Sequence, residues 1–502
     1  MSRRFILPPL VIFGAILFLA AGELAAGTGL FFVAGMSVAM LAIGITYNTL
    51  GGLGTIGGLV FTSFALNTLV ISQFAKVLLF EPADKHLGAP ELTISVYAAY
   101  YLALMVGVFL FAWIRLDLPR PLEPVTSTHS NVMYVTAFII GLAATVFVTA
   151  QVLKNPLAAQ GSTEHGLGRA FAALLPLSLV LAVDGRIRKT KGRHSFGWSA
   201  LWPLLAMEFF GFLDASRSNY LKAPMIVLVT CYFRGVQFRK RHYLAIGGLI
   251  AGLVLFFFPY YAWARAWRHQ PDIKQETTTM WRLLLSAPQH WTEIEGASRE
   301  LVIRADREGN QYFSRPGTYM LNRFSEIQPD SQLIRACASF HYGLKAFVLD
   351  VESSAPHFIV KDQPELNGEW YRASISGLQS SYQGNDRISM SIIPDAFGSF
   401  GWWSLILVPL LLVPATYVIF DSMFDMSKPW GTVITVTLIF LTLGSSVGML
   451  VVGSLLEIPI YTLLVSWFFG WITRYVPLRG DRALARSAEW PEPEDAGSIA
   501  EA

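Results

Sequence analysis

The sequence predicts a polytopic, all-helical membrane protein. Three observations carry that prediction. Of 502 residues, 53% are hydrophobic and only 15% charged, against about a quarter charged in an ordinary globular domain. Apolar runs of membrane-crossing length recur along both ends of the chain. One long polar, mixed-charge stretch, Tyr261 to Phe397, interrupts them late in the sequence.

Twelve spans are expected, at 5–21, 27–46, 52–79, 93–114, 131–153, 167–184, 196–213, 219–234, 243–262, 398–420, 430–447 and 451–472. The first follows Arg3 and Arg4 and ends in a small-residue stretch that imitates a signal peptide. With so many spans behind it, it reads as a first transmembrane helix. The third is long and glycine-rich, which predicts a tilt or a break. The glycines from Gly51 to Gly58 sit in an apolar segment, where they suit close helix packing better than phosphate binding.

Lys and Arg set the orientation. Arg115, Arg120, Arg186, Arg188, Lys189, Lys191, Arg193, Arg234, Arg239, Lys240, Arg241, Lys428 and the tail arginines fall on the side of the N-terminus. The short loops of the other side hold Lys85, Lys154 and Arg217, with Lys222 just inside the next span. Both termini are therefore expected in the cytoplasm, and the polar stretch outside, in the inner membrane of a bacterium. The chain divides into a bundle at 1–262, a large outward loop at 263–397, three closing helices at 398–472 and a disordered, Pro- and Glu-rich tail at 473–502. Within the loop, 292–303 and 333–344 read as helical, the second either standing free or lying along the membrane surface, and 352–386 reads as irregular.

A net charge of +3 spread over membrane loops gives no reason to expect nucleic acid. The two cysteines, Cys231 and Cys337, fall on opposite sides of the membrane and have no metal-ligand spacing. Neither HExxH, a P-loop nor a dinucleotide fingerprint occurs, nor an Asp-rich metal cluster, so metal-independent chemistry without a cofactor is expected.

Charges in or at the mouth of the membrane carry the most weight, because burying them is costly unless they are paired or wet. Glu208 lies in the seventh span, Asp214 ends it, Arg217 follows in the turn and Lys222 opens the next span; pairing among them is expected. Arg265 and Arg268 share a helical face beside Trp263 and Trp267. The choice is between an interfacial belt and a cationic patch, joined by Arg282 and Arg323, that grips phosphate oxygens with planar guanidinium forks. For acid–base work the loop offers Glu326, Asp330, His341 and His357, with His341 the first to test.

Three stretches resemble the O-antigen polymerase and ligase superfamily of membrane glycosyltransferases. Ser216-Arg217-Ser218-Asn219-Tyr220-Leu221 is similar to a short outward Ser-Arg turn. Asn322-Arg323-Phe324-Ser325-Glu326-Ile327 resembles an Arg-bearing part of the large loop. The run from Ile393 to Trp403 resembles the aromatic-Gly approach to the following span. The resemblance implies polymerisation of lipid-linked oligosaccharide repeat units, by glycosyl transfer from an undecaprenyl-diphosphate-linked glycan, with a chain-length regulator as a further partner. Polymerase and ligase both stay open on these residues. A polysaccharide or lipid transporter or flippase is the alternative from another class, and a scaffold that binds a protein through its loop is a third.

Overall fold

The computed structural model describes residues 6–114, 130–154, 163–213, 217–236, 258–264, 273–294, 312–314, 325–354, 368–378, 390–442 and 446–475, with a few single positions and short pairs between them. The described residues are helical, with no β-strand. Among the described residues, eight helical spans are long and apolar enough to cross a membrane. They contain α1 (Pro9–Ala26), α2 (Leu30–Thr49), α3 (Ile56–Leu79), α4 (Pro90–Phe111), α5 (Ser130–Lys154), the consecutive α6 (Thr163–Ala172) and α7 (Leu174–Lys189), α16 (Trp402–Met423) and α18 (Val447–Ile472). Between them come α8 (Trp198–Leu213), a shorter apolar helix, and α9 (Arg217–Phe233). The short α10 (Phe258–Ala264) lies in the expected 243–262 span, most of which is outside the described residues. From the polar stretch come α11 (Ile273–Ser286), α12 (Ile327–Ala336), α13 (Lys345–Ser354), α14 (Gly368–Ile375) and α15 (Ile392–Phe400). An apolar α17 (Pro429–Thr442) precedes the last span.

Local chemistry sets the helix ends. Proline occupies the first turn of α1 and α4, where a missing N–H costs nothing. Thr55 caps α3 by accepting from the Gly58 amide, and Ser446 caps α18 by accepting from the Met449 amide at 3.1 Å. π-Helical turns interrupt spans at Leu66–Val70 in α3, Val408–Leu412 in α16 and Leu450–Glu457 in α18. The expected break in the third span takes that form.

Hydrogen bonds between helix ends define two faces. On one, Asn48 at the end of α2 clasps the backbone of Leu7 ahead of α1, and Asp421 near the end of α16 accepts from the Ile56 and Gly57 amides that open α3. Asp184 of α7 pairs with Arg188 and with Arg234 after α9 on this face. The other face, here the loop face, joins Ala26–Leu30, Leu79–Pro90, the start of α16 and the start of α18 to the polar stretch. The Gly29 amide donates to Asp84 and the Gly88 amide to Ser331.

Two sequence expectations change in the loop. Residues 333–344 do not form one helix: α12 stops at Ala336, and the amides of Tyr342 and Gly343 donate to the carbonyls of Gly398 and Ser399 instead of continuing a ladder. The stretch 352–386 is not wholly irregular, since α13 runs to Ser354 and α14 occupies Gly368–Ile375. Of the helix expected at 292–303, residues 292–294 are helical and nearly all the rest lies outside the described residues, as does the tail beyond Tyr475.

Candidate functional site

Polar side chains gather on the loop face in three buried networks. The first ties α1, α3 and the following turn to residues 312–314. Glu23 accepts from the Thr28 hydroxyl (2.6 Å) and the Ala83 amide (3.0 Å). Lys76 is fully buried and donates to Glu81 (3.2 Å) and to the Tyr312 carbonyl (2.5 Å), with its ammonium 4.3 Å from the Tyr312 ring centre. The Tyr312 hydroxyl donates to the Ala83 carbonyl, and the Ser314 amide to Glu81. A buried ammonium survives only with such partners.

The second network centres on Asp330 of α12, which is fully buried. One carboxylate oxygen accepts from the Ser391 amide (2.9 Å). The other lies between the hydroxyls of Ser391 and Tyr97, each at 2.5 Å. Ser391 also caps α15, so one short contact fixes α4, α12 and α15 together.

The third network joins three loop helices to the last span. Arg372 of α14 reaches Asp350 of α13 at 3.1 Å and Asp395 of α15 at 3.3 Å, and all three side chains are buried. Burial works against the charged guanidinium, but Asp395 and Asp350 outweigh it and hold the Arg372 pKa above its ordinary value. Asp395 also accepts from the Tyr342 hydroxyl (2.6 Å) and from the Val447 amide (2.8 Å). Asp350 accepts from the Ser446 hydroxyl (2.5 Å). Two carboxylates thus meet the positive end of α18, whose first amides have no partner of their own. Only glycine fits at Gly448, where an added Cβ would lie 2.6 Å from the Asp350 side chain.

Above this network a rim opens to the surface. His341 is exposed, its ring edge-on to Phe397 at 5.7 Å between centres. The ring sits against Gly401 so closely that a Cβ there would meet Nε2 at 2.7 Å. Gly401 has φ +66° and ψ −139°, a conformation that a side chain strains. Around it Phe340, Leu344, Phe400, Trp402 and Trp403 are exposed, Trp403 by 78%. The adjacent Lys345 is exposed and stands 4.7 Å from the Tyr371 ring centre.

The structure separates the three acid–base candidates. Glu326 and Asp330 are buried, whereas His341 reaches the surface. His357 lies outside the described residues. Among the cationic candidates, Arg282 is exposed on α11, where that helix covers Phe212 and Tyr260 in a small separate core. Arg265, Arg268, Arg323 and Asp214 lie outside the described residues; Arg217 begins α9, and its side chain is also outside them.

Of the pairings expected of Glu208 or Asp214 with Arg217 or Lys222, those of Asp214 and of the Arg217 side chain lie outside the described residues, and Glu208 accepts no hydrogen bond from Lys222. Lys222 donates to Asn219 of its own helix at 3.0 Å and lies 5.9 Å from the Phe440 ring centre, towards α17. Both Glu208 oxygens are shielded from solvent and accept no hydrogen bond.

Sequence reasoning missed Asp350, Arg372, Asp395 and Ser446. A usable signal existed: Asp350 lies in Val348-Leu349-Asp350-Val351 and Arg372 in Trp370-Tyr371-Arg372-Ala373, where a lone charge among apolar neighbours points inward.

No protein-family model, curated protein or solved structure matches this chain.

Proposed function

We propose that the protein is a membrane glycosyltransferase that polymerises lipid-linked oligosaccharide repeat units at the outer face of a bacterial inner membrane. In this reading the chain crosses the membrane twelve times with both termini in the cytoplasm, and the loop face is outward. The basic residues Arg186, Arg188 and Lys189 in the last turn of α7, with Lys191 and Arg193 after it, then lie on the cytoplasmic side.

The observation that carries the reading is the exposed His341 on an aromatic rim at the start of α16. The rim is level with the end of a span, the depth at which a lipid diphosphate presents its sugar. Aromatic faces suit the apolar side of a sugar ring, and an imidazole suits proton transfer. His341 takes the proton of the acceptor hydroxyl as that oxygen attacks the donor's anomeric carbon. The bond from that carbon to the diphosphate breaks, and the lipid diphosphate leaves with the electron pair. Arg217, Arg265, Arg268, Arg282 and Arg323 are the proposed grip on the diphosphate, with a chain-length regulator as a protein partner.

The test is deletion of the gene, then complementation with wild type or His341→Ala, with surface glycan resolved on gels. A polymerase defect leaves single repeat units attached, and a ligase defect leaves none. Wild-type glycan from His341→Ala would remove the histidine. A second reading, transport of a polysaccharide or lipid, draws on Glu208, a carboxyl without hydrogen bonds inside an apolar helix.

A further inference from the structure

The connection from α7 to α8 packs five cations, Arg186, Arg188, Lys189, Lys191 and Arg193, into eight residues. The one carboxylate beside them, Asp184, is already engaged. It pairs with Arg188 at 2.7 Å and with Arg234 after α9. Arg186, Lys189, Lys191 and Arg193 are exposed, and none of them has an acidic partner among the described residues.

Like charges crowded together repel one another, yet the turn is built to hold them in place. The Arg193 amide donates to the Thr190 carbonyl at 3.1 Å, and the His194 amide donates to the Thr190 hydroxyl at 3.0 Å. Lys191 has φ +49° and Gly192 φ +78°. Glycine and asparagine suit that left-handed region better than lysine does. The charge at Lys191 is therefore kept against the preference of its backbone.

The span that contains α7 ends at Lys189, so the cations stand at the level of lipid headgroups. Just after them α8 begins with Trp198. Trp198, Trp202 and Leu205 follow at intervals of four and three, share one face of α8 and are all exposed, Trp198 by 80%. The Arg186 stem folds towards this helix start, 3.5 Å from where a Cβ on Gly197 would lie. Alongside, the Tyr134 hydroxyl of α5 donates to the Ser199 carbonyl at 2.7 Å, and α5 exposes Val135 and Ile139 one turn apart.

Two chemistries thus adjoin, a fixed cationic cluster and an uncovered apolar face running into the membrane. A free phosphate or an acidic peptide would match the cations and leave the tryptophan face bare. A lipid matches both, with phosphate oxygens on the guanidinium and ammonium groups and acyl chains along Trp202 and Leu205. We propose that the α7–α8 turn and the exposed face of α8 bind an anionic phospholipid of the adjoining leaflet. The site is on the face marked by Asn48, Asp184 and Asp421, and it stands independently of any chemistry at His341.

The test places the full chain in nanodiscs of phosphatidylcholine and phosphatidylglycerol, in equal amounts and with equal acyl chains. The protein is then released into neutral detergent, and native mass spectrometry counts the lipids it retains. Wild type should keep phosphatidylglycerol in preference to phosphatidylcholine, and high salt should strip that preference without any substitution. The quadruple variant Arg186→Gln, Lys189→Gln, Lys191→Gln, Arg193→Gln spares the Arg188–Asp184 pair. At about fivefold per cation, it should lower the preference by well over tenfold. The charge-conserving exchange Arg186→Lys, Lys189→Arg, Lys191→Arg, Arg193→Lys should keep the preference, as should Lys85→Gln on the loop face. Trp198→Ser with Trp202→Ser should release the lipid although the cations remain. Equal retention of both lipids by wild type, or an unchanged preference in the quadruple variant, overturns the proposal. Full retention by the tryptophan variant also overturns it, because the cations would then serve a free anion or an acidic segment.

Discussion

Replacing Arg372 by methionine is the sharpest test of how the loop is held. The side chain is buried between two carboxylates, so methionine keeps most of the stem and removes the only cation that reaches them among the described residues. Asp350 and Asp395 would keep the Ser446, Tyr342 and Val447 donors but would face each other as uncompensated charges. Removing one partner of a buried ion pair costs about 3–5 kcal/mol. An exposed pair would cost no more than about 1 kcal/mol. The assay is the thermal midpoint of detergent-solubilised protein, followed by size-exclusion chromatography. Arg372→Met should lower the midpoint sharply. The triple change Arg372→Met, Asp350→Asn, Asp395→Asn should recover more than half of the loss, because it leaves no buried charge unpaired. An unchanged midpoint for Arg372→Met, or a triple variant worse than the single one, would refute the electrostatic account.

Further outcomes follow from the same geometry. Cys337 is fully buried, and burial followed by the charge of Asp395 pushes its thiol up to about 12, so an impermeant maleimide should label it only after unfolding; rapid labelling of native protein would contradict its placement. Tyr312→Phe removes a buried hydroxyl bonded to Ala83 and Gln73 and should cost about 1–3 kcal/mol, read as faster proteolysis of the loop. Gly401→Ala places a Cβ against the His341 ring in a glycine conformation, with strain of order 1–3 kcal/mol, and should abolish glycan elongation without loss of membrane insertion. Arg217→Ala should lower activity about ten- to a hundredfold against a Lys154→Ala control, with only partial rescue by Arg217→Lys.

The span pattern was legible because hydropathy over about twenty residues is a local property. Expected spans at 27–46, 131–153 and 451–472 meet helices at Leu30–Thr49, Val132–Val152 and Val447–Ile472. The loop networks were not legible for the opposite reason. Asp350, Arg372 and Asp395 are separated by 22 and 23 residues, and Ser446 lies 96 residues from Asp350. No helical period links positions so far apart, and the Ser-, Gly- and Asn-rich composition of 352–386 hides the one arginine that joins them. The 333–344 pattern misled in a different way. Its apolar residues do recur at helical spacing, but Leu333 and Ile334 are fully buried whereas Phe340 and Leu344 are exposed on the rim.

That split has a physical cause that bears on the proposed chemistry. A continuous helix through Leu344 would have needed the Tyr342 and Gly343 amides for its own ladder. The chain gives those amides to Gly398 and Ser399, beside the start of α16. Tyr342 then turns inward to Asp395 while His341, one residue earlier, turns outward over Gly401. The surface histidine is therefore placed by the buried arginine–aspartate network beneath it. Tyr342→Phe, which removes the hydroxyl bond to Asp395 but leaves the Arg372 pairs in place, should shift the orientation of His341 without unfolding the loop. The measurement that separates this from a purely structural role is the acceptor-concentration dependence of elongation. A positioning role lowers the maximal rate at unchanged half-saturation, and a change in thermal midpoint alone, with normal elongation, would remove the link between network and histidine.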